Sequence, residues 1–227
     1  MMMDCGAGTV HALARYNLPW EGMTHLFTSH FHADHVGELA SLMFAFKWGM
    51  KTRRTQPLTL LGPVGLDRIL KSLDDALDLR LGELKFLVES RELEPGDELQ
   101  LAPDCMLSVA KTPHTSVSLA ARIDAARIEH DSRSICYTGD TGYSEELATF
   151  FTGTDLMISE CSFEEPNPGV PHLSVREVSI MAEQASAARL AVTHFYFDVD
   201  ELDLAARLRQ GYSGEVIIGR DGLCIEI

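Results

Sequence analysis

Four candidate metal ligands fall within six positions in His30-Phe31-His32-Ala33-Asp34-His35. Imidazole is the commonest biological metal ligand and carboxylates complete hard or borderline sites, so the stretch points to divalent cations. Side chains this closely spaced cannot all face one way from a regular strand or helix. They can splay toward two neighbouring ions, His30 and His32 to one, Asp34 and His35 to the other. Two ions need further donors, and three candidates each follow a short apolar run. These are His114 after Ser108–Pro113, Asp140 after Ile135–Gly139, and His194 after Leu190–Thr193. A carboxylate can bridge two cations, which an imidazole ordinarily does not, so Asp140 is the expected bridge.

The elements that must position these groups read as alternating strands and helices. Strands are expected over His25–Ser29, Leu58–Leu61, Lys85–Glu89, Met106–Lys111, Ser134–Thr138, Asp155–Ser159, Leu190–Thr193, Glu215–Ile218 and Leu223–Ile227. Helices are expected over Gly37–Trp48, Leu66–Leu77, Glu145–Phe151, Val175–Ala188 and Glu201–Arg209. Ser174 with Glu177 reads as a capping box for the fourth helix. Pro95-Gly96-Asp97 is a turn between two strands. The cluster at 30–35 then lies on a strand-to-helix loop, and the mixture suggests sheets covered by helices on their outer faces. Without a linker, repeat or low-complexity segment, residues 1–227 read as one domain.

The 227 residues include 34 acidic and 19 basic side chains, a net charge of −15. A field of that sign disfavours generic nucleic-acid binding. The one compact basic group, Lys47, Lys51, Arg53 and Arg54, reads as a solvated loop after a helix. Five scattered cysteines without a CxxC pair argue against a disulfide framework or a structural zinc ribbon, and fit buried thiols in a reducing cytoplasm. No apolar run is long enough to span a bilayer, so no membrane association is expected.

The order of HxHxDH, a lone His, Gly139-Asp140-Thr141 and a second lone His resembles the metallo-β-lactamase-fold hydrolase superfamily. Within it the chain is most similar to the ribonuclease Z-like phosphodiesterase branch. Asp4-Cys5-Gly6-Ala7-Gly8-Thr9, the Gly62-Pro63 turn, Ser118 after His114, Glu160 after an apolar strand, and His172-Leu173-Ser174 carry that likeness. The resemblance implies a four-layer αββα sandwich. It also implies two divalent ions, zinc suiting the set best with manganese and iron as alternatives, held by His30, His32, Asp34, His35, His114, Asp140 and His194. A strand starting so near Met1 suggests that the family's first hairpin precedes Asp4 and is missing, and the sheet edge this exposes suggests a homodimer.

The implied chemistry is hydrolysis. Two cations bridged by Asp140 would bring the pKa of a shared water from about 15.7 toward 7, making a bridging hydroxide available. Asp34 can also accept the nucleophile's proton, and His172 is the candidate general acid. Glu160 reads either as orienting His172 or as a solvated strand end. Asp4 reads as bonding a ligand imidazole, with a turn-forming Asp before Gly as the alternative. Phe31, Phe195, Tyr196 and Phe197 flank ligands as pocket or core residues, while His11, His25 and His130 match no ligand position. The chain departs from ribonuclease Z in three places. His114 and Asp140 stand only 26 positions apart, leaving no room for a tRNA-gripping arm. Ser159 replaces a histidine, and Phe195-Tyr196-Phe197 replaces a Ser- and Arg-containing segment. The substrate expected is therefore a small cyclic or linear phosphodiester or an RNA end, with tRNA disfavoured. Hydrolysis of a lactone or thioester is the alternative.

Overall fold

The computed structural model describes residues 1–50, 54–126, 132–197, 199 and 203–227. The chain forms two compact units, Met1–Leu93 and Glu94–Ile227.

The first unit carries a parallel sheet in the order β1 (Met2–Met3), β2 (His25–Phe27), β3 (Leu58–Pro63), β4 (Val88–Leu93). Strands buried on both faces read as continuous apolar runs, and Leu58, Leu60 and Leu61 of β3 have at most 1% exposure. Helices α1 (Thr9–Arg15), α2 (Ala33–Val36), α3 (Leu39–Phe44) and α4 (Leu66–Leu77) complete the unit. Its core joins Leu26, Leu39, Leu42, Phe46, Leu58, Leu60 and Phe86. Helix α4 has the expected bounds. The helix expected at Gly37–Trp48 instead comprises α3 and a π-helical turn, Ala45–Gly49, with the separate turn α2 before it. Asp34 and His35 thus stand on a helix, not in a loop. The strand expected at Lys85–Glu89 lies three residues later, in register with β3.

The basic group departs from expectation. Arg54 is buried, its guanidinium donating to the carbonyls of Glu21, Met23 and Pro57 and stacking over Phe46 and Phe86 at 4.7 and 5.1 Å. Three carbonyls and two ring faces surround the cation where a solvated loop was expected. Lys47 donates to the Leu79 carbonyl. Lys51 and Arg53 lie outside the described residues.

The second unit is a seven-stranded sheet. In chain order its strands are β5 (Glu98–Ala102), β6 (Cys105–Lys111), β7 (Leu119–Ala126), β8 (Ser132–Tyr137), β9 (Leu156–Glu160), β10 (Arg189–Thr193) and β11 (Glu215–Ile218). They lie in the order β11-β10-β9-β8-β7-β6-β5, parallel from β11 to β8 and antiparallel from β8 to β5. Helices α5 (Glu145–Phe150), α6 (Val175–Gln184) and α7 (Leu204–Leu208) pack with a core of Phe151, Met157, Val178, Met181, Leu190, Val192 and Leu208. The Ser174–Glu177 capping box is present, and α6 ends at Gln184 because Ser186 takes a left-handed φ of 50°. Strand β7 was not anticipated, since Leu-Ala-Ala-Arg-Ile-Asp-Ala-Ala has little strand propensity and is held by pairing on both sides. Residues 223–227 are not a strand; this tail is held by Arg189 Nη1 donating to the Glu226 carbonyl. Glu201 and Leu202, the expected start of the last helix, lie outside the described residues, as does His130. No helix among the described residues is long and apolar enough to cross a membrane.

Candidate metal centre

In the first unit, β2 runs out at Phe27 and delivers Ser29 and His30 at its carboxyl end, and His32 is the residue before α2. The rings of His30 and His32 lie 4.6 Å apart edge to face, and those of His30 and His35 lie 4.1 Å apart. His35 Nε2 is 3.7 Å from Asp34 Oδ2. His30 and His35 are buried, whereas His32 and Asp34 are exposed.

Asp4 organises this group. Its carboxylate accepts from the Ser29 backbone N–H at 2.6 Å, from Ser29 Oγ at 2.7 Å and from His35 Nδ1 at 2.6 Å. A carboxylate of this kind can only accept, so Nδ1 of His35 carries the proton and Nε2 keeps its lone pair. Ser29 spends its one proton on Asp4, so its contact with His30 Nδ1 at 3.0 Å is donated by the ring. His30 is held in the same tautomer. The turn-forming alternative for Asp4 is therefore not the whole account. The approach is made possible by Gly6, where a Cβ would fall 1.6 Å from the Asp34 carbonyl oxygen.

In the second unit, β8, β9 and β10 deliver Asp140, Glu160 and His194 to one end of the parallel part of the sheet. Gly139 precedes Asp140 with a φ of 56°, and His194 turns out of β10 with a φ of 58°. His114 follows β6, and His172 lies just before α6. His114 Nε2 is 3.7 Å from Asp140 Oδ2, and His194 Nε2 is 3.5 Å from Asp140 Oδ1. Imidazoles therefore face both oxygens of a carboxylate that is 2% exposed, and His172 Nδ1 also lies 3.9 Å from Oδ2. These separations exceed hydrogen bonds and suit donors that share an ion.

The remaining ring nitrogens are again committed. His114 Nδ1 donates to the Pro171 carbonyl at 3.0 Å. Glu160, 1% exposed, accepts from the Thr141 N–H at 2.6 Å, Ser162 Oγ at 2.5 Å, the Leu173 N–H at 3.3 Å and His172 Nδ1 at 3.0 Å. Because Ser162 gives its proton to this short contact rather than to the His194 carbonyl at 3.1 Å, it accepts from His194 Nδ1 at 2.9 Å. His30, His35, His114 and His194 are all held as the Nδ1–H tautomer, the form that leaves Nε2 to a cation. This donor set, imidazole nitrogens with carboxylate oxygens, fits zinc or a similar divalent ion.

His172 is placed differently. Its ring stacks 5.8 Å from that of His194, and Nε2 meets the Tyr196 hydroxyl at 3.2 Å. Glu160 is thus buried and bonded to the His172 ring, and is not a solvated strand end. Of the flanking aromatics, Phe31 and Phe195 pack against the cores, Phe197 is exposed, and Tyr196 reaches the site. Two residues were missed altogether as contributors, Ser29 and Ser162. Their only signal was position, one directly before His30 and the other two residues after Glu160. His11 is exposed and His25 contacts Thr24, neither near a ligand set.

Comparison with known proteins gives a consistent placement. The probable metallo-hydrolase YhfI of Bacillus subtilis strain 168 is 26% identical over all of this chain and 87% of its own length. The crystal structure of YhfI, a metallo-β-lactamase-fold protein, superposes with a TM-score of 0.78 over 97% of this chain and 84% of that one. A ribonuclease Z of Haloferax volcanii is 23% identical, covering all of this chain and 86% of the relative. The short form of human tRNase Z shares the fold at a TM-score of 0.79 and 22% identity, over 99% of this chain and 87% of that one. The α/β chain therefore has the metallo-β-lactamase fold, on the ribonuclease Z-like side of that group. Residues 1–210 match the family described as Anti-Pycsar protein Apyc1, and the chain belongs to that family.

Proposed function

We propose that this metal-dependent hydrolase is a phosphodiesterase working with two divalent cations, most naturally zinc. The observation that carries the reading is the Glu160–His172 pair set against the Asp140, His114 and His194 donors, since a scaffold that merely binds metal has no use for a braced imidazole beside its ligands. The order of motifs along the chain assigns His30, His32, Asp34, His35, His114, Asp140 and His194 to one centre, with Asp140 as the bridge, and treats residues 1–227 as one hydrolase domain. When bound, such ions would lower the pKa of a shared water and offset charge on the phosphate oxygens. Asp34, exposed beside His35, is the group to take the water's proton. His172, its Nδ1 proton tied to Glu160, presents Nε2 to the leaving oxygen. The names of the relatives, ribonuclease Z among them, support a phosphodiester. The net charge of −15 supports a small cyclic or linear diester or an RNA end over tRNA. A homodimer and a reducing cytoplasm belong to the same reading, β1 standing at a sheet edge and all five cysteines being free.

Turnover of bis-p-nitrophenyl phosphate, a lactone and a thioester by the metal-loaded chain tests this, with metal content measured alongside. The diester is expected to be hydrolysed fastest, and His32→Ala to lose both activity and bound metal. Faster lactone or thioester turnover, or a His32→Ala chain with full activity and two metals, would overturn it.

A further inference from the structure

We propose that Tyr196 is a positioning residue for His172, an inference that rests on the phosphodiesterase reading above. Tyr196 stands in the segment where this chain departs from the ribonuclease Z pattern. Its hydroxyl lies 3.2 Å from His172 Nε2, opposite the Nδ1 that Glu160 holds at 3.0 Å. The Glu160 bond and the His194 ring hold one side of the imidazole; a second hydrogen bond on the opposite nitrogen fixes its orientation more firmly. A phenol both donates and accepts, so Tyr196 can hold Nε2 whether or not that nitrogen bears a proton. A carbonyl or an ammonium could serve only one of the two states.

Tyr196 is itself well placed. Its backbone N–H donates to the Ser162 carbonyl at 3.3 Å, and its carbonyl accepts from the Val199 N–H at 3.1 Å. Its ring meets Phe163 edge-on at 5.3 Å and 87°, a favourable aromatic geometry. The 3.2 Å contact is at the long end of the hydrogen-bond range, so Tyr196 orients the ring before the step and yields Nε2 to the leaving oxygen during it. In the step served, the water oxygen forms the new P–O bond and gives its proton to Asp34. The breaking P–O bond leaves its electron pair on the departing oxygen, which takes the proton from His172 Nε2. Tyr196 keeps its own proton throughout.

The test compares two diesters on the zinc-loaded full chain. One is bis-p-nitrophenyl phosphate, whose aryl oxide departs with little need of a proton. The other has an alkoxide leaving group, a dinucleotide or a cyclic nucleotide, whichever the wild type turns over faster. Tyr196→Phe retains the ring, and thermal melting with zinc content checks that it folds and loads. The alkoxide substrate is expected to lose about tenfold in kcat with little change in KM, a share of what a general acid supplies. The aryl substrate loses clearly less, so the ratio of the two shifts. In a His172→Ala background the same substitution adds nothing further. Equal losses on both substrates, a loss confined to KM, or full additivity with His172→Ala overturns the proposal while leaving the phosphodiesterase reading intact. A wild type that cleaves neither diester overturns both.

Discussion

Each unit contains one buried carboxylate that holds one imidazole directly and a second through a serine hydroxyl. In the first unit Asp4 holds His35 directly and His30 through Ser29. In the second, Glu160 holds His172 directly and His194 through Ser162. The two braces differ in what they serve. Both rings on Asp4 belong to the proposed ligand set. Only the serine-linked ring on Glu160 does; the directly held His172 turns Nε2 to Tyr196 instead. The same wiring thus separates two jobs, fixing ligand tautomers in one unit and dividing ligand from acid in the other.

Removing the Glu160 charge is the sharpest way to break the comparison. Glu160→Gln presents an amide NH₂ to a site where four donors converge. It is expected to lower kcat by about 10²- to 10⁴-fold, the range of general acid catalysis. Metal affinity, read by competition with a chelator, should fall by less than about tenfold, at the lower edge of what ligand-orienting groups contribute. If Glu160→Gln strips metal as thoroughly as it slows turnover, the two carboxylates do the same job.

Asp4→Asn is the converse. Both rings it steadies are ligands, so zinc affinity is expected to drop about 10- to 100-fold, with kcat at saturating zinc much less affected. Unchanged zinc affinity would show that Ser29 and the backbone suffice to hold His30 and His35.

A smaller effect compares the two cores. Burial, with Glu38 and Asp4 adding to it, pushes the Cys5 thiol up to about 12, and burial with Glu160 nearby does the same for Cys161. At pH 8 each would be thiolate only about one part in 10⁴, so alkylation reports opening of the fold and not intrinsic reactivity. Cys224, which is exposed, should be modified at once. In rising denaturant Cys5, in the smaller core, is expected to react before Cys161 by mass-mapped alkylation. The reverse order would show that the second unit opens first.

The sequence made the first unit's ligands legible because His30, His32, Asp34 and His35 occupy six consecutive positions. In the second unit each ligand ends a different strand, and only the order of motifs related them. What could not be read was the wiring. A serine at a strand end is ordinary, and nothing in Ser29 or Ser162 announces that its single proton decides a neighbouring tautomer. The fold was legible where apolar runs carried strand propensity. It was not at β7, where pairing on both sides overrides an alanine-rich segment, nor at residues 223–227, whose apolar positions form no strand.

His194 leaves β10 with its backbone in the left-handed region. Histidine tolerates that conformation better than most side chains, and β-branched residues hardly at all. His114 carries no such demand, as its φ is not positive. The routes by which this chain could change its metal preference are therefore unequal. Exchanging His114 for a cysteine or carboxylate loses the bond to the Pro171 carbonyl but makes no demand on the backbone. At 194 the newcomer must also suit an uncommon backbone, for which asparagine, aspartate and glycine are best adapted, and of these only aspartate is a strong ligand. Drift or design toward a harder, oxygen-rich site is open at this position, and drift toward a sulfur-rich one is resisted there.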